Sequence, residues 1–333
     1  MEQKTRYYYV DIVKFIAIIC LFLAHVDTPK ILKEIRGFDV VTMVILSGIL
    51  AEKSYLSSEN TFKYIIKRVK RLVIPTWIFL VGFYICMFLV GKLPRYEEIF
   101  KAFFFQRDSG IVGYVWIIWI YILCSFVVPI YVKIKNYIRI KDKFYIIIFI
   151  IVMYELICEY TNFSNSRVLY YTIFSIIPYG VITWIAMFYN ELNNINKLKF
   201  NILMLSLHMF YLILLMKISR EYVPLNSFKY PARFYYFSYG IFMGFILIEI
   251  FKKLDIKLKG NNIILFVSKY SLWIYLWHIF VLALMKYIFQ LENWIIQFSF
   301  VFIFSLLFTF IQVKIILKIK KLYNFKQLNY FLC

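Results

Sequence analysis

The 333 residues are 63% hydrophobic and 22% aromatic, with a mean hydropathy of +0.74, far above the roughly half apolar content of a soluble domain. A fold surrounded by water could not hide that much apolar surface, so a soluble enzyme or binding module is excluded. The net charge of +21 does not indicate nucleic acid, because the 39 Lys and Arg stand in short clusters between apolar runs, which is a topology signal.

A helical span needs about 20 mostly apolar residues. Such runs fall at 8 to 26, 38 to 52, 72 to 90, 113 to 132, 144 to 160, 168 to 189, 200 to 216, 234 to 251, 263 to 285 and 294 to 317. The expected fold is therefore all-α and polytopic, with about ten transmembrane helices in a single domain over residues 1 to 333. The amino end, with Lys4 and Arg6 before an apolar stretch, is shaped like a secretory leader. Asp11 and Lys14 inside that stretch, and the lack of a small-residue cleavage site, make it a retained first span instead.

Charge inside a span is costly and marks either a function or a buried pair. On a continuous first helix Lys14 and His25, eleven residues apart, lie about 20° apart around the axis and roughly 16 Å apart along it, with Asp11 on the same face. One polar stripe would then join an inner cation to an outer imidazole. Alternatively Asp11 and Lys14 pair near the interface, Lys14 snorkels, and His25 is interfacial. The second run is the weak one; it opens on Asp39, which enters near the depth of His25, and passes through Ser47 and Gly48. A carboxylate there can fix the tautomer of an imidazole base, or can simply be solvated. Ser47 and Gly48 suit close helix approach.

Arg68, Lys70 and Arg71, followed by Pro75, form a basic hinge before the third span. It fits phosphate binding or positive-inside anchoring on anionic lipid. His208 in the seventh span has no supporting constellation. The outer stretch containing Tyr230 and Arg233 is aromatic and basic, suited to stacking on a sugar or to an interfacial aromatic belt. The ninth span carries Tyr270, Ser271, Tyr275, Leu276, Trp277 and His278, a histidine set among aromatic side chains.

The five cysteines, Cys20, Cys86, Cys124, Cys158 and Cys333, are odd in number and form no metal-ligand spacing, so neither a disulfide framework nor a metal site is indicated. With the amino end inside, 24 Lys and Arg fall in segments on the cytoplasmic side and 13 on the outer side. That asymmetry sets both ends in the cytoplasm. It also supports the weak second run as a crossing, since otherwise the basic 63-to-71 stretch would lie outside.

In order and helical placement these features resemble the membrane-bound acyltransferase family 3, whose members commonly move acetyl or other short acyl groups onto extracytoplasmic sugars and glycans. The likeness spans nearly the whole chain. The family's first-helix pattern of an acid, an arginine and, after ten residues, a histidine falls on Asp11, Lys14 and His25. Its second-helix acid near a Ser-Gly pair falls on Asp39, Ser47 and Gly48, its basic stretch with proline on Arg68, Arg71 and Pro75, and its late aromatic run on Tyr270, Ser271, Tyr275, Leu276, Trp277 and His278. Lys14 departs from the pattern: it keeps the charge but lacks the planar fork of arginine.

The resemblance implies an enzyme of a bacterial-type plasma membrane that takes acyl-CoA, usually acetyl-CoA, as donor. His25 and Asp39 would be catalytic and Lys14, Arg68 and Arg71 would meet the donor's phosphates, with no metal. Its partners would be the lipid bilayer and a sugar or glycan acceptor, with no nucleic acid; no feature signals an oligomeric state. The rival classes are a carrier or exporter of a glycan or lipid-linked sugar and a structural partner in polysaccharide assembly. The absence of repeated halves and the low counts of 10 Gly and 7 Pro weigh against a carrier built on paired broken helices.

Overall fold

The structure, a computed structural model, describes residues 6–160, 167–254, 262–323 and 325–332. Expectations about Lys4, Cys333, the outer segment 161 to 166 and residues 255 to 259 of the following cytoplasmic loop lie outside those residues. In chain order the helices are α1 (Tyr8–Leu23), α2 (Lys30–Ile35), α3 (Asp39–Leu56), α4 (Thr61–Leu89), α5 (Tyr96–Phe103), α6 (Trp116–Ile134), α7 (Ile140–Tyr160), α8 (Arg167–Tyr189), α9 (Asn194–Ser219), α10 (Phe234–Leu254), α11 (Asn262–Lys269), α12 (Ser271–Leu284) and α13 (Trp294–Leu322). A 3-10 turn, Gly110–Val115, leads into α6, and a π-helical turn, Met285–Phe289, ends α12. Among the described residues there is no β-strand, only an isolated bridge between Lys229 and Ala232.

Helix occupies every one of the ten apolar runs, and among the described residues seven segments are long and apolar enough to cross a membrane. They are Thr61–Leu89, Gly110–Ile134, Thr172–Tyr189, Asn194–Ser219, Phe234–Leu254, Ser271–Phe289 and Trp294–Leu322. The other three fall short for visible reasons. Helix α1 has 16 residues, α3 carries Asp39, Glu52 and Lys53, and α7 opens on Lys141, Asp142 and Lys143 and also holds Glu155 and Glu159.

Three boundaries differ from the sequence reading. The first helix stops at Leu23 rather than at 26, because Pro29 and the Thr28 hydroxyl, which donates to the Leu23 carbonyl at 3.3 Å, turn the chain. The basic stretch before the third span is no hinge, since α4 runs unbroken from Thr61 through Pro75. The ninth run divides at Tyr270, whose φ of −106° and ψ of 23° leave the helical region.

The chain sorts into two compact units. The first comprises Met1–Cys20, Lys30–Ile65 and Leu123–Lys257. Its centre is α3, which α8 and α10 approach closely through small residues. A Cβ on Gly48 would come within 2.9 Å of the Ala186 Cβ, one on Gly240 within 2.7 Å of a Val41 methyl, and one on Gly244 within 2.8 Å of Ile45. Part-buried pairs tie the helix ends: Lys143 meets Glu191 at 2.5 Å, Tyr131 donates to the same carboxylate at 2.9 Å, and Lys135 bonds Glu52. By contrast, only 11% of the apolar window of α9 is buried within the protein. Its outward Phe210 and Ile213 suit hydrocarbon rather than water.

The second unit comprises Leu21–Pro29, Ile66–Ile122 and Leu258–Cys333. Here α12 lies along α13, joined by the Trp277 indole donating to Gln312 at 2.6 Å. Gln312 in turn donates to the Phe331 carbonyl at 3.0 Å, so the polar atoms of Trp277 and Gln312 are satisfied within the protein. The Trp77 indole donates to the Phe103 carbonyl at 3.0 Å and holds α5 against α4.

Candidate active site

His25 lies in the turn that follows α1, its backbone N–H bonded to the Phe22 carbonyl at 3.0 Å. The turn is fixed by Gln297, a buried amide near the start of α13. Gln297 accepts from the Asp27 N–H at 2.9 Å, donates to the Asp27 carboxylate at 3.1 Å and donates to the Leu291 carbonyl at 2.7 Å. Because the turn is not helical, the 20° register calculated for a continuous helix does not extend to His25.

Within this unit the His25 ring packs on Tyr114, with centroids 3.9 Å apart, and faces His278 at 5.3 Å. His278 is fully buried, sandwiched by Phe22 at 5.2 Å and Tyr275 at 4.8 Å. Its Nδ1 is bonded to the Tyr275 carbonyl. A carbonyl only accepts, so Nδ1 carries the proton and the neutral ring leaves Nε2 with an open lone pair. That Nε2 is buried and has no hydrogen-bond partner among the described residues. The Tyr275 hydroxyl donates to the Tyr114 carbonyl, so one residue of α12 holds both the second imidazole and the loop bearing Tyr114.

The loop needs its glycine: a Cβ on Gly113 would collide with the Arg107 carbonyl. A cavity of about 440 Å³ opens beside His25, lined also by Tyr114, Asp27, Lys286 and Gln297. Its wall offers a base, a phenol, an amide and a cation, a set suited to binding a hydroxyl-bearing ligand.

The remaining sequence candidates are distributed as follows. Arg68 and Arg71 are three residues apart on α4, which aligns them on one face, Arg71 being exposed and Arg68 half-buried. Trp277 joins the α12–α13 contact already described. In the first unit Lys14 is half-buried on α1, Asp11 pairs with Arg6 at 2.8 Å, and Ser47 and Gly48 sit on α3. Asp39 is not solvated there: it is 1% exposed, with Arg36 at 3.3 Å and Lys229 at 3.9 Å. Arg233 is held by Glu155 at 3.0 Å and Glu159 at 3.1 Å. Burial alone would pull its guanidinium down, but the two carboxylates more than offset this and raise it. Tyr230 is half-buried beside Lys229. Among the described residues, no group of three or more His, Cys, Asp and Glu side chains is placed to hold a metal ion.

Sequence reasoning missed Tyr114, Gln297 and Arg36, and took Lys229 only as part of the aromatic and basic stretch that holds Tyr230 and Arg233. Tyr114 carries no signal among 29 tyrosines. Gln297 does carry one, as an amide inside an apolar run, whereas nothing in the sequence sets Arg36 apart from Lys30 and Lys33 in the same short segment.

Segments of this length and apolarity define a multi-pass membrane protein. Within that class, the model of an acyltransferase domain, acyltransferase family 3, matches residues 7–313, and the chain belongs to that family. It is a membrane acyltransferase. No curated protein and no solved structure matches the chain.

Proposed function

We propose that the protein moves an acyl group, acetyl in the simplest case, from cytoplasmic acyl-CoA to a hydroxyl of a sugar or glycan on the outer side of a bacterial-type plasma membrane. The observation that carries this reading is the His25 site: an imidazole on a polar cavity, packed on Tyr114 and backed by a second imidazole. In this reading the ten apolar helical runs each cross the bilayer, both ends are cytoplasmic, and the chain works as one domain. A family match that draws on both compact units supports the last point.

The acceptor hydroxyl enters the cavity, and the His25 imidazole takes its proton as the oxygen attacks the thioester carbonyl. The carbon–sulfur bond then breaks; the CoA thiolate takes up the proton from His25, and the products are the ester and free CoA thiol. Ring centres 5.3 Å apart bring imidazole edges to about 3 Å when the rings point at one another, a hydrogen-bond distance. The open Nε2 of His278 is thereby suited to accept from the imidazolium that His25 becomes. Lys14, Arg68 and Arg71 meet the nucleotide phosphates of the donor through charge-assisted contacts. Asp39 supports the base from the outer end of α3, Asp11 sets Lys14, and Tyr230 and Arg233 contact the sugar.

A positioned base is worth about 10² to 10⁴ in rate. The test follows radiolabel from acyl-CoA into an outer-side sugar in membranes holding equal amounts of wild type and His25→Ala. A loss of that order in the variant is expected. Full transfer by His25→Ala would remove the base from the mechanism, and movement of sugar without thioester consumption would indicate a carrier.

A further inference from the structure

Asp39 stands at the start of α3 amid more positive charge than it can balance. One carboxylate oxygen takes the Arg36 guanidinium at 3.3 Å through Nη1. The other accepts the Val40 N–H at 2.7 Å and faces the Lys229 ammonium at 3.9 Å. The side chains of Arg36 and Lys229 are only 6% and 9% exposed. Two cations and one carboxylate therefore share a place from which water is nearly excluded.

Among the described residues Asp39 is the one acid within ion-pair distance of Arg36 or Lys229. Glu34, on α2, accepts from the Tyr222 hydroxyl at 2.8 Å and the Leu225 N–H at 2.7 Å. Glu155 and Glu159 are held by Arg233. Lys229 otherwise faces the rings of Tyr230 and Tyr236 at 5.7 and 5.8 Å, contacts that favour a cation but bring no counter-charge. Net charge kept in such surroundings is costly unless an anion meets it.

Two buried donors point to where that anion goes. Arg36 Nε and the Tyr236 hydroxyl have no hydrogen-bond partner among the described residues. Asp39 engages Arg36 through Nη1 alone, which leaves the side edge of the guanidinium that carries Nε, the edge that receives a carboxylate or phosphate with two oxygens. Tyr230, next to Lys229 and half-buried, offers a ring against which a sugar can lie.

We infer that Arg36, Lys229 and the Tyr236 hydroxyl form a binding site for a carboxylate or phosphate carried by an acidic sugar acceptor. This rests on the acyltransferase reading and on its topology, in which residues 27 to 37 and 217 to 233 face the outer side. The site selects acceptors by charge: a neutral sugar leaves the net positive charge unmet, whereas an acidic one neutralises it on binding. Asp39 opposes the ligand electrostatically while fixing the two cations, and so keeps binding weak enough for product release.

The site is tested by thermal unfolding of the purified full chain in a neutral detergent. The probes are methyl glucuronide, inorganic phosphate, methyl glucoside, potassium chloride at matched ionic strength, and phosphatidylglycerol. Glucuronide and phosphate should raise Tm in a saturable manner and glucoside and chloride should not. Lys229→Gln and, independently, Arg36→Gln should each weaken the apparent Kd tenfold or more. Lys229→Arg should retain it, and Asp39→Asn should tighten it several-fold. The absence of an anion-specific shift in wild type, or an unaltered Kd in both charge-removing variants, overturns the site. A shift with phosphatidylglycerol alone overturns the acidic-sugar assignment and gives the site to a lipid headgroup. These readouts do not depend on acyl transfer. An anion response in a protein that transfers nothing would sink the transferase reading and leave the site standing.

Discussion

His25 and His278 differ in how they are held, and the difference sets what each can do. His278 is fully buried with its Nδ1 proton spoken for, whereas His25 is half-buried on a cavity wall in a turn outside any helix. Tyr275 links them through two bonds, its carbonyl to His278 and its hydroxyl to the Tyr114 backbone. A typical hydrogen bond contributes about 1 kcal/mol, so Tyr275→Phe should lower acyl transfer between about twofold and tenfold through kcat, with KM for the donor unchanged. Kinetics on membranes at saturating acceptor read that split. Lys14 poses the opposite case. If its ammonium meets a phosphate, Lys14→Arg should lower KM for acyl-CoA several-fold, because the planar fork binds two oxygens where an ammonium is a point charge. An unchanged KM would remove Lys14 from the donor site.

At the scale of elements, the apolar runs were legible because hydrocarbon imposes length and composition together, and a helix fills each of them. The ends were less so. The stop at Leu23 depends on one hydroxyl bond and a proline, and the break at Tyr270 sits inside an apolar run with no glycine or proline to mark it. Motif residues along single helices could be read from sequence; the contacts of Tyr114 and Gln297 could not, since they join segments distant in the chain. Gln297 is the stronger case. Its three bonds set the turn that carries His25, so Gln297→Leu should leave α13 apolar and inserted yet lower transfer about tenfold or more. Rescue by Gln297→Asn would show that the amide is needed but its longer reach is not. Membrane abundance by immunoblot, measured beside activity, separates this loss from failed insertion.

For the whole molecule, the proposed orientation rests on the uneven distribution of 39 basic residues, 24 of them in segments assigned to the cytoplasm. Two exposed serines test it. Ser57 follows α3 on the inner side of the proposed topology, and Ser227 lies in the outer segment before α10. Ser227→Cys should react with an impermeant maleimide in intact cells, and Ser57→Cys only after the membrane is opened. The reverse pattern would invert the protein and move the His25 turn to the cytoplasm. The clasp between Asp27 and Gln297 spans 270 positions of sequence. During synthesis the Asp27 end of the His25 turn leaves the ribosome 270 positions ahead of its amide partner. A nascent chain therefore carries that turn unlatched until the start of α13 has been made and seated.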